Sequence, residues 1–171
     1  MILCANPAAQ FLSHKAEIEA AVLKVMRGDR YILGGEVQEL EGEFASFIGS
    51  RFAVGVANGT DALELAMRAL GIGAGDEVIT VSHTAVATVA AIEACGATPV
   101  LVDVDPVYFT LNPDQLPEVL TSRTKAVIAV HLYGQAADLD AIGGFCSENG
   151  LTLIEDCAQA HGARWQGRRV G

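Results

Sequence analysis

From Ala53 onward, short apolar runs alternate with helical stretches, and this alternation is the feature that most limits how the chain can fold. The five predicted strands are Ala53–Ala57, Glu77–Val81, Pro99–Val102, Ala126–Val130 and Leu151–Ile154. They are almost continuous in Val, Ile, Leu and Ala, as expected for strands covered on both faces. Strands that alternate with helices are typical of a mostly parallel sheet. The sequence therefore predicts a three-layer α/β fold, with helices on both faces of the sheet.

The predicted helices lie before and between these strands. Apolar residues three or four positions apart, such as Val37, Leu40 and Phe44, indicate a helix with one buried face. Ser13 is the expected N-cap of the first helix. The full set is Ser13–Arg27, Glu36–Ile48, Asp61–Leu70, Thr84–Ala94, Pro113–Leu120 and Asp138–Glu148.

Length, charge and hydropathy exclude several classes of protein. The 171 residues correspond to about one domain, and a composition with 51% apolar and 19% charged residues excludes disorder. The net charge of −10 argues against a nucleic acid partner, because phosphate binding needs basic clusters. The longest apolar stretch, Ala85 to Ile92, contains Thr88 and is too short to span a membrane. No secretory signal pattern is visible, so we expect a cytoplasmic protein.

The four cysteines indicate neither a disulfide framework nor a metal site. Cys4, Cys95, Cys146 and Cys157 are far apart in the sequence and form no C-x-x-C pair. In a chain of this size, such cysteines are expected to be reduced thiols. We therefore predict no bound metal.

Polar residues concentrate where the predicted strands end. Ligands of open parallel sheets bind outside the carboxyl ends of the strands. The residues at those ends are 58–61, 82–84, 103–105, 131–134 and 155–161, and they include three of the four histidines. This concentration on one edge of the sheet predicts a ligand site there.

Each of these segments has a functional and a structural interpretation. The residues Asn58, Gly59 and Thr60 open a helix directly after a strand, so they form either a phosphate site or an ordinary Asn cap with a turn glycine. Asp156 ends an apolar strand, where its carboxylate needs a cation or a donor, so it either binds a protonated ring nitrogen or caps a helix. His83 either stacks on a planar ligand, acts as an acid or base, or is structural.

Five longer stretches resemble the DegT/DnrJ/EryC1/StrS family of sugar aminotransferases. They are GDRYILGGEV (Gly28–Val37), ANGTDALELAMRALGIGAGDEVIT (Ala57–Thr80), VSHTAVATVAAIEACGATPVLVDVDP (Val81–Pro106), HLYGQAADLD (His131–Asp140) and IEDCAQAHGARWQGRRVG (Ile154–Gly171). They span almost the whole chain in order. The resemblance implies the aspartate-aminotransferase fold and the cofactor pyridoxal phosphate (PLP). It also implies that residues 1–171 are the N-terminal part of the large domain.

The resemblance assigns a role to each candidate cofactor residue. Gly59 and Thr60 would hold the cofactor phosphate, and His83 would stack on the pyridine ring. Asp156 would pair with the pyridine nitrogen and keep it protonated, so that the ring acts as an electron sink. Gln159 would bond the ring hydroxyl.

Substrates and partners are also implied by the resemblance. We expect a nucleotide-linked keto-sugar as acceptor, L-glutamate as amino donor, and a homodimer with sites between subunits, in the biosynthesis of deoxysugars for lipopolysaccharide or antibiotics. Tyr31, His131 and His161 would contact the substrate or support residues that do. The turn from Tyr31 to Gly35 would face a neighbour's site.

The chain departs from the family's pattern at the lysine. Transamination needs a lysine that forms the Schiff base and moves the proton, but the chain has only Lys15, Lys24 and Lys125. In the family this lysine follows a segment like residues 167–171. We therefore expect an N-terminal fragment that is inactive alone. The alternatives are a PLP-dependent sugar dehydratase of the same family and a non-catalytic binding or regulatory relative.

Overall fold

The computed structural model describes residues 5–171, and its centre is a four-stranded parallel sheet. The strands are β1 (Glu77–Val81), β2 (Thr98–Val102), β3 (Thr124–Val130) and β4 (Thr152–Asp156), in the order β2-β1-β3-β4. Each neighbouring pair is parallel, so four of the five predicted strands are confirmed. A short antiparallel hairpin of β5 (Arg164–Trp165) and β6 (Arg168–Arg169) follows, and it was not predicted.

Helices connect these strands and precede them. They are α1 (Pro7–Ser13), α2 (Lys15–Met26), α3 (Gly35–Ile48), α4 (Gly59–Ala69), α5 (Val86–Ala94), α6 (Leu116–Val119) and α7 (Leu139–Asn149). A 3-10 turn, Pro113–Gln115, leads into α6. Within residues 5–171, every helix is too short or too polar to cross a bilayer.

The predicted helix Ser13–Arg27 corresponds to α2, and α1, which precedes it, was not predicted. Asn6 caps α1, because its Oδ1 accepts a hydrogen bond from the main-chain N–H of Ala9 at 3.1 Å. Ser13 Oγ donates to the carbonyl oxygen of Gln10 at 2.8 Å and closes α1. The prediction of a cap at Ser13 is therefore wrong. Pro7 favours an earlier start, since a helix tolerates proline in its first turn.

The predicted strand Ala53–Ala57 is also wrong, because this segment has no neighbouring strand in the described part of the chain. The main-chain N–H of Gly55 donates instead to the carboxylate of Glu41 at 2.7 Å. Val54 is 77% exposed and Val56 is 40% exposed. An apolar run is a strand only where another strand completes its hydrogen bonds.

Helices cover both faces of the sheet, as predicted. On one face, α7 packs on β3 and β4, with its Gly143 close to the side chain of Leu153. Successive side chains of a strand point to opposite faces, so Asp156 lies on the other face, where it meets Thr88 of α5. Fully buried residues from helices on the two faces, such as Ile92 and Ile142, complete the core.

The three described cysteines are free thiols, as predicted. Cys95 and Cys146 are buried, and Cys157 is half-buried. Burial raises the pKa of the Cys146 thiol to about 11. Cys4 lies outside the described residues.

Strand order determines where a ligand crevice opens. The connection from β1 leads through α5 to β2, whereas the connection from β3 leads through α7 to β4 on the other side. The chain therefore reverses its winding between β1 and β3. In doubly wound sheets, ligands bind at the carboxyl ends of the strands at such a point.

Candidate functional site

An aromatic pair lies at this crevice. His83 follows β1 and Tyr133 follows β3, and their ring centroids are 6.0 Å apart with the planes at 62°. Tyr133 has a left-handed backbone conformation (φ 57°) and is 76% exposed. Its main-chain N–H donates to Gln159 Oε1 at 3.0 Å. The structure thus brings His83 and Gln159 to the same region through Tyr133, a residue that sequence reasoning did not select.

Asp156 is the last residue of β4, and its half-buried carboxylate is held by two donors. Oδ1 accepts from the main-chain N–H of Ala158 at 3.1 Å, and Oδ2 accepts from Thr88 Oγ1 at 3.4 Å. Thr88 is fully buried and bonds Thr84 Oγ1 at 2.8 Å. The alternative that Asp156 caps a helix is wrong, because turns and not a helix follow it.

The structure at the N-terminus of α4 is compatible with both interpretations of residues 58–60, an Asn cap and a phosphate site. Asn58 caps the helix, since its Oδ1 accepts from the N–H of Asp61 at 2.9 Å. Among the described residues, the main-chain N–H groups of Gly59 and Thr60 have no acceptor. A Cβ placed on Gly59 would have no atom within 4 Å. The carboxylate of Asp61 opposes an anion here, but Asn58 Nδ2 donates to it at 3.1 Å.

Gly59 and Asp156 line one cavity of about 470 Å³, which we call the α4–β4 cavity. His161 also lines it, with its ring edge against Phe44 at a centroid distance of 5.9 Å. The wall is mostly apolar and includes Ile48, Phe52, Ala53, Val54, Ala62, Leu63, Ala66, Ile154 and Val170. The N-terminus of a helix and a carboxylate therefore border the same open cavity.

Cys157 lines the same cavity, and its environment makes the thiol unreactive. Burial raises the pKa of the Cys157 thiol to about 12, and the neighbouring carboxylates of Glu155 and Asp156 add to this rise. The thiolate is the nucleophilic form of cysteine. Cys157 is therefore unsuited to act as a nucleophile.

His131 is completely buried, so its ring has no surface open to a ligand in this structure. Its Nε2 lies 3.0 Å from Glu155 Oε2, and its Nδ1 accepts from the main-chain N–H of Ala137 at 3.0 Å. The hydrogen bond from His131 lowers the pKa of Glu155 below its ordinary value. Of the two sequence expectations for His131, only a supporting role fits this burial.

Ligand atoms of His131, Glu155 and Cys157 lie within 4.8 Å of one another, close enough to suggest a metal centre. The hydrogen bond from Ala137 makes Nδ1 of His131 an acceptor, so the proton is on Nε2. Nε2 is the nitrogen that faces the other two ligands. A metal would have to displace that proton, so His131 and Glu155 are better described as a hydrogen-bonded pair.

Tyr31 is 60% exposed and lies outside the lining of the α4–β4 cavity. Its hydroxyl donates to the carbonyl oxygen of Met26 at 3.2 Å, next to the end of α2. Sequence reasoning also missed Thr88 and Glu155. The only signal for Thr88 is that it is, with Glu93, one of two polar residues in the Ala-rich helix α5.

These observations define the class of protein. It is part of a parallel α/β domain, with its candidate ligand groups at the carboxyl ends of the strands and with a helix N-terminus and a held carboxylate at one cavity. The chain belongs to the DegT/DnrJ/EryC1/StrS aminotransferase family, whose sequence profile matches residues 12–171.

One relative is dTDP-3-amino-3,6-dideoxy-alpha-D-galactopyranose transaminase of Aneurinibacillus thermoaerophilus. It is 49% identical over 160 residues, which are 94% of this chain and 44% of the relative. A crystal structure of S. venezuelae DesV in complex with a ketimine intermediate is 47% identical, with a TM-score of 0.95, and the match covers 97% of this chain and 45% of DesV.

A further solved structure is NtdA of Bacillus subtilis with bound cofactor PMP. It is 30% identical with a TM-score of 0.87, and the match covers 92% of this chain and 36% of NtdA. A putative sugar aminotransferase of Streptococcus pneumoniae is solved in its PLP form, with 30% identity and a TM-score of 0.86 over 92% of this chain and 44% of that protein. These structures indicate that pyridoxal phosphate is used in this family. The chain spans less than half the length of the relatives it matches.

Proposed function

We propose that this chain is the cofactor-binding part of a PLP-dependent aminotransferase that moves an amino group from L-glutamate to a nucleotide-linked keto-sugar within a homodimer. The names of the relatives support the substrate class. The observation that carries the proposal is that Gly59 and Asp156 border the same cavity. PLP has a phosphate at one end and a basic ring nitrogen at the other, so it needs both groups.

The phosphate would lie at the N-terminus of α4. The N–H groups of Gly59 and Thr60, which have no acceptor within residues 5–171, belong to the first turn, where the helix dipole is positive. The space beside Gly59 leaves room for close approach of the phosphate. The hydroxyl of Thr60 adds one more donor.

The ring would lie against Asp156, His83 and Gln159. When bound, PLP supplies an electron sink for the substrate's reacting carbon. Asp156 would hold a proton on the ring nitrogen, with its carboxylate oriented by Thr88 and the N–H of Ala158. Gln159 accepts from Tyr133 through Oε1, which leaves its amide N–H₂ to donate to the ring hydroxyl.

We also propose that these 171 residues alone do not turn over substrate, because none of their three lysines reaches the α4–β4 cavity. Lys15 and Lys24 lie on α2 and form ion pairs with glutamates. Lys125 lies near the amino end of β3, whereas Val130, at the other end, pairs with Asp156. Five residues of strand separate Lys125 from the site by about 16 Å.

The test is a titration of the chain with PLP, followed by absorbance and equilibrium dialysis. Asp156→Ala is expected to weaken PLP binding at least about tenfold, because it removes a charged partner of the ring. The matched control is Asp29→Ala, at an exposed aspartate away from the cavity, and it is expected to bind like the unmodified chain. Pyridoxal without phosphate should bind more weakly than PLP. Failure of the unmodified chain to bind PLP, or equal binding by Asp156→Ala, would refute the proposal.

A further inference from the structure

The side chain and main chain of His131 both contact the end of β4. Its main-chain N–H donates to the carbonyl oxygen of Asp156 at 3.0 Å. Its Nε2 donates to Glu155 Oε2 at 3.0 Å, and its Nδ1 accepts from the N–H of Ala137 at 3.0 Å. The residue has no exposed surface. Every polar group of the ring is thus paired inside the protein.

These partners fix the protonation state of the ring. The N–H of Ala137 points at Nδ1, so Nδ1 cannot carry a hydrogen and His131 is the neutral Nε2–H form. Nε2–H can therefore act only as a donor toward Glu155. Oε2 of Glu155 also accepts from the main-chain N–H of Gly171 at 2.9 Å, so this carboxylate oxygen has two donors.

The pair acts on the cofactor side of the sheet through the strand itself. Glu155 and Asp156 are consecutive in β4, so their side chains leave the strand in opposite directions, although both residues line the α4–β4 cavity. Anchoring Glu155 on one face fixes the rotation of the strand end, and this rotation sets the direction of the Asp156 carboxylate on the other face. The main-chain bond from His131 to Asp156 reinforces this.

The same turn also holds a second cofactor residue. Two residues after His131, the N–H of Tyr133 donates to Gln159 Oε1 at 3.0 Å. A left-handed conformation at Tyr133 (φ 57°) and at Gly134 (φ 83°) gives the turn its shape. One turn after β3 therefore bonds both Asp156 and Gln159.

We infer that His131 and Glu155 are positioning residues that aim Asp156 at the ring nitrogen of the cofactor. This inference rests on the proposed function. Removing the Glu155 carboxylate leaves Asp156 and the main-chain bond from His131 in place, but it takes away the side-chain contacts that hold the end of β4 to His131 and Gly171. Loss of such a supporting partner typically costs about 10- to 100-fold in affinity at metal sites, and we expect about tenfold weaker PLP binding here.

The experiment compares three variants of the 171-residue chain with the unmodified chain. Glu155→Ala removes the acceptor, whereas Glu155→Gln keeps an acceptor oxygen at the same place. The control is Ile142→Ala, which removes a fully buried side chain of α7 without touching the pair. The readouts are the dissociation constant for PLP, the absorption maximum of bound PLP and the thermal unfolding midpoint.

Glu155→Ala is expected to weaken PLP binding about tenfold and to shift the absorption maximum, and Glu155→Gln is expected to restore both. Ile142→Ala is expected to lower the unfolding midpoint without changing either. If Glu155→Ala binds PLP with the affinity and spectrum of the unmodified chain, the inference fails while the proposed function stands. If the unmodified chain binds no PLP, the proposed function fails and the inference fails with it.

A measurement on the unmodified chain covers the case in which Glu155→Ala does not fold. The ¹⁵N chemical shifts of the His131 ring report which nitrogen carries the hydrogen. The inference requires the hydrogen on Nε2, with a hydrogen bond toward Glu155. A hydrogen on Nδ1 would overturn it.

Discussion

The thiol of Cys157 provides a quantitative test of the environment around Asp156. Cys157 lines the α4–β4 cavity next to two carboxylates, and burial raises its pKa from an ordinary value near 9 to about 12. The perturbation is complete unfolding in urea, which returns the thiol to water. The rate of alkylation at pH 8 should therefore differ between the folded and the unfolded chain.

The size of this difference follows from two opposing effects. At pH 8, a thiol with a pKa of 12 is ionised roughly a thousandfold less than one with a pKa of 9. A more basic thiolate is also more nucleophilic, with a Brønsted coefficient of about 0.4–0.5, and three pKa units recover roughly 20-fold. The net expectation is that Cys157 reacts about 50-fold more slowly in the folded chain.

The assay is timed alkylation with iodoacetamide, read by mass spectrometry of the peptide that contains Cys157. The peptide measurement separates Cys157 from the other three cysteines. The alkylation rate of the folded chain should also rise about tenfold per pH unit up to about pH 11, because the pH stays below the pKa of the thiol over that range. Folded and unfolded rates within fivefold of each other at pH 8 would refute the burial of the Cys157 thiol beside the carboxylates of Glu155 and Asp156.

Three further predictions concern stability and association. The folded structure lowers the pKa of Glu155, so the ionised carboxylate stabilises the fold above about pH 4.5, and this stabilisation is lost as the pH falls through the lower pKa of the folded state. Between about pH 5 and pH 3, the urea midpoint of unfolding should therefore fall less in Glu155→Gln than in the unmodified chain. Equal falls in the two proteins would contradict this. Ile128→Ala, at a fully buried position of β3, should lower the free energy of unfolding by about 2–5 kcal/mol in urea titrations, and a loss below 1 kcal/mol would contradict the burial. Phe52 is 71% and Val54 is 77% exposed, so the chain should self-associate in light scattering and Phe52→Lys should reduce this; a monodisperse monomer would count against the prediction.

Most of the sheet could be predicted from the sequence, because strands covered on both faces are continuous apolar runs. Ala53–Ala57 is a short apolar run like the confirmed strands, yet no strand within residues 5–171 pairs with it. Composition reports burial preference, whereas a strand also needs a partner for its N–H and C=O groups. Similarly, the Ser13 side chain bonds Gln10 within α1, a choice that a capping preference alone does not reveal.

The candidate site residues at the ends of strands could be predicted from the sequence. The residues that orient them from other parts of the chain could not. An acid after an apolar run singles out Asp156 in the sequence. The orientation of its carboxylate depends on Thr88, which belongs to a helix far away in the chain. The sequence also indicated His131, but only the tertiary structure shows that its ring is buried against Glu155 and Ala137.

The most direct test of the central claim is a crystal structure of this chain with PLP. The account predicts the cofactor phosphate within hydrogen-bond distance of the N–H groups of Gly59 and Thr60. It also predicts the ring nitrogen within hydrogen-bond distance of the Asp156 carboxylate. A PLP molecule bound elsewhere, or one that reaches only one of these two ends, would contradict the account.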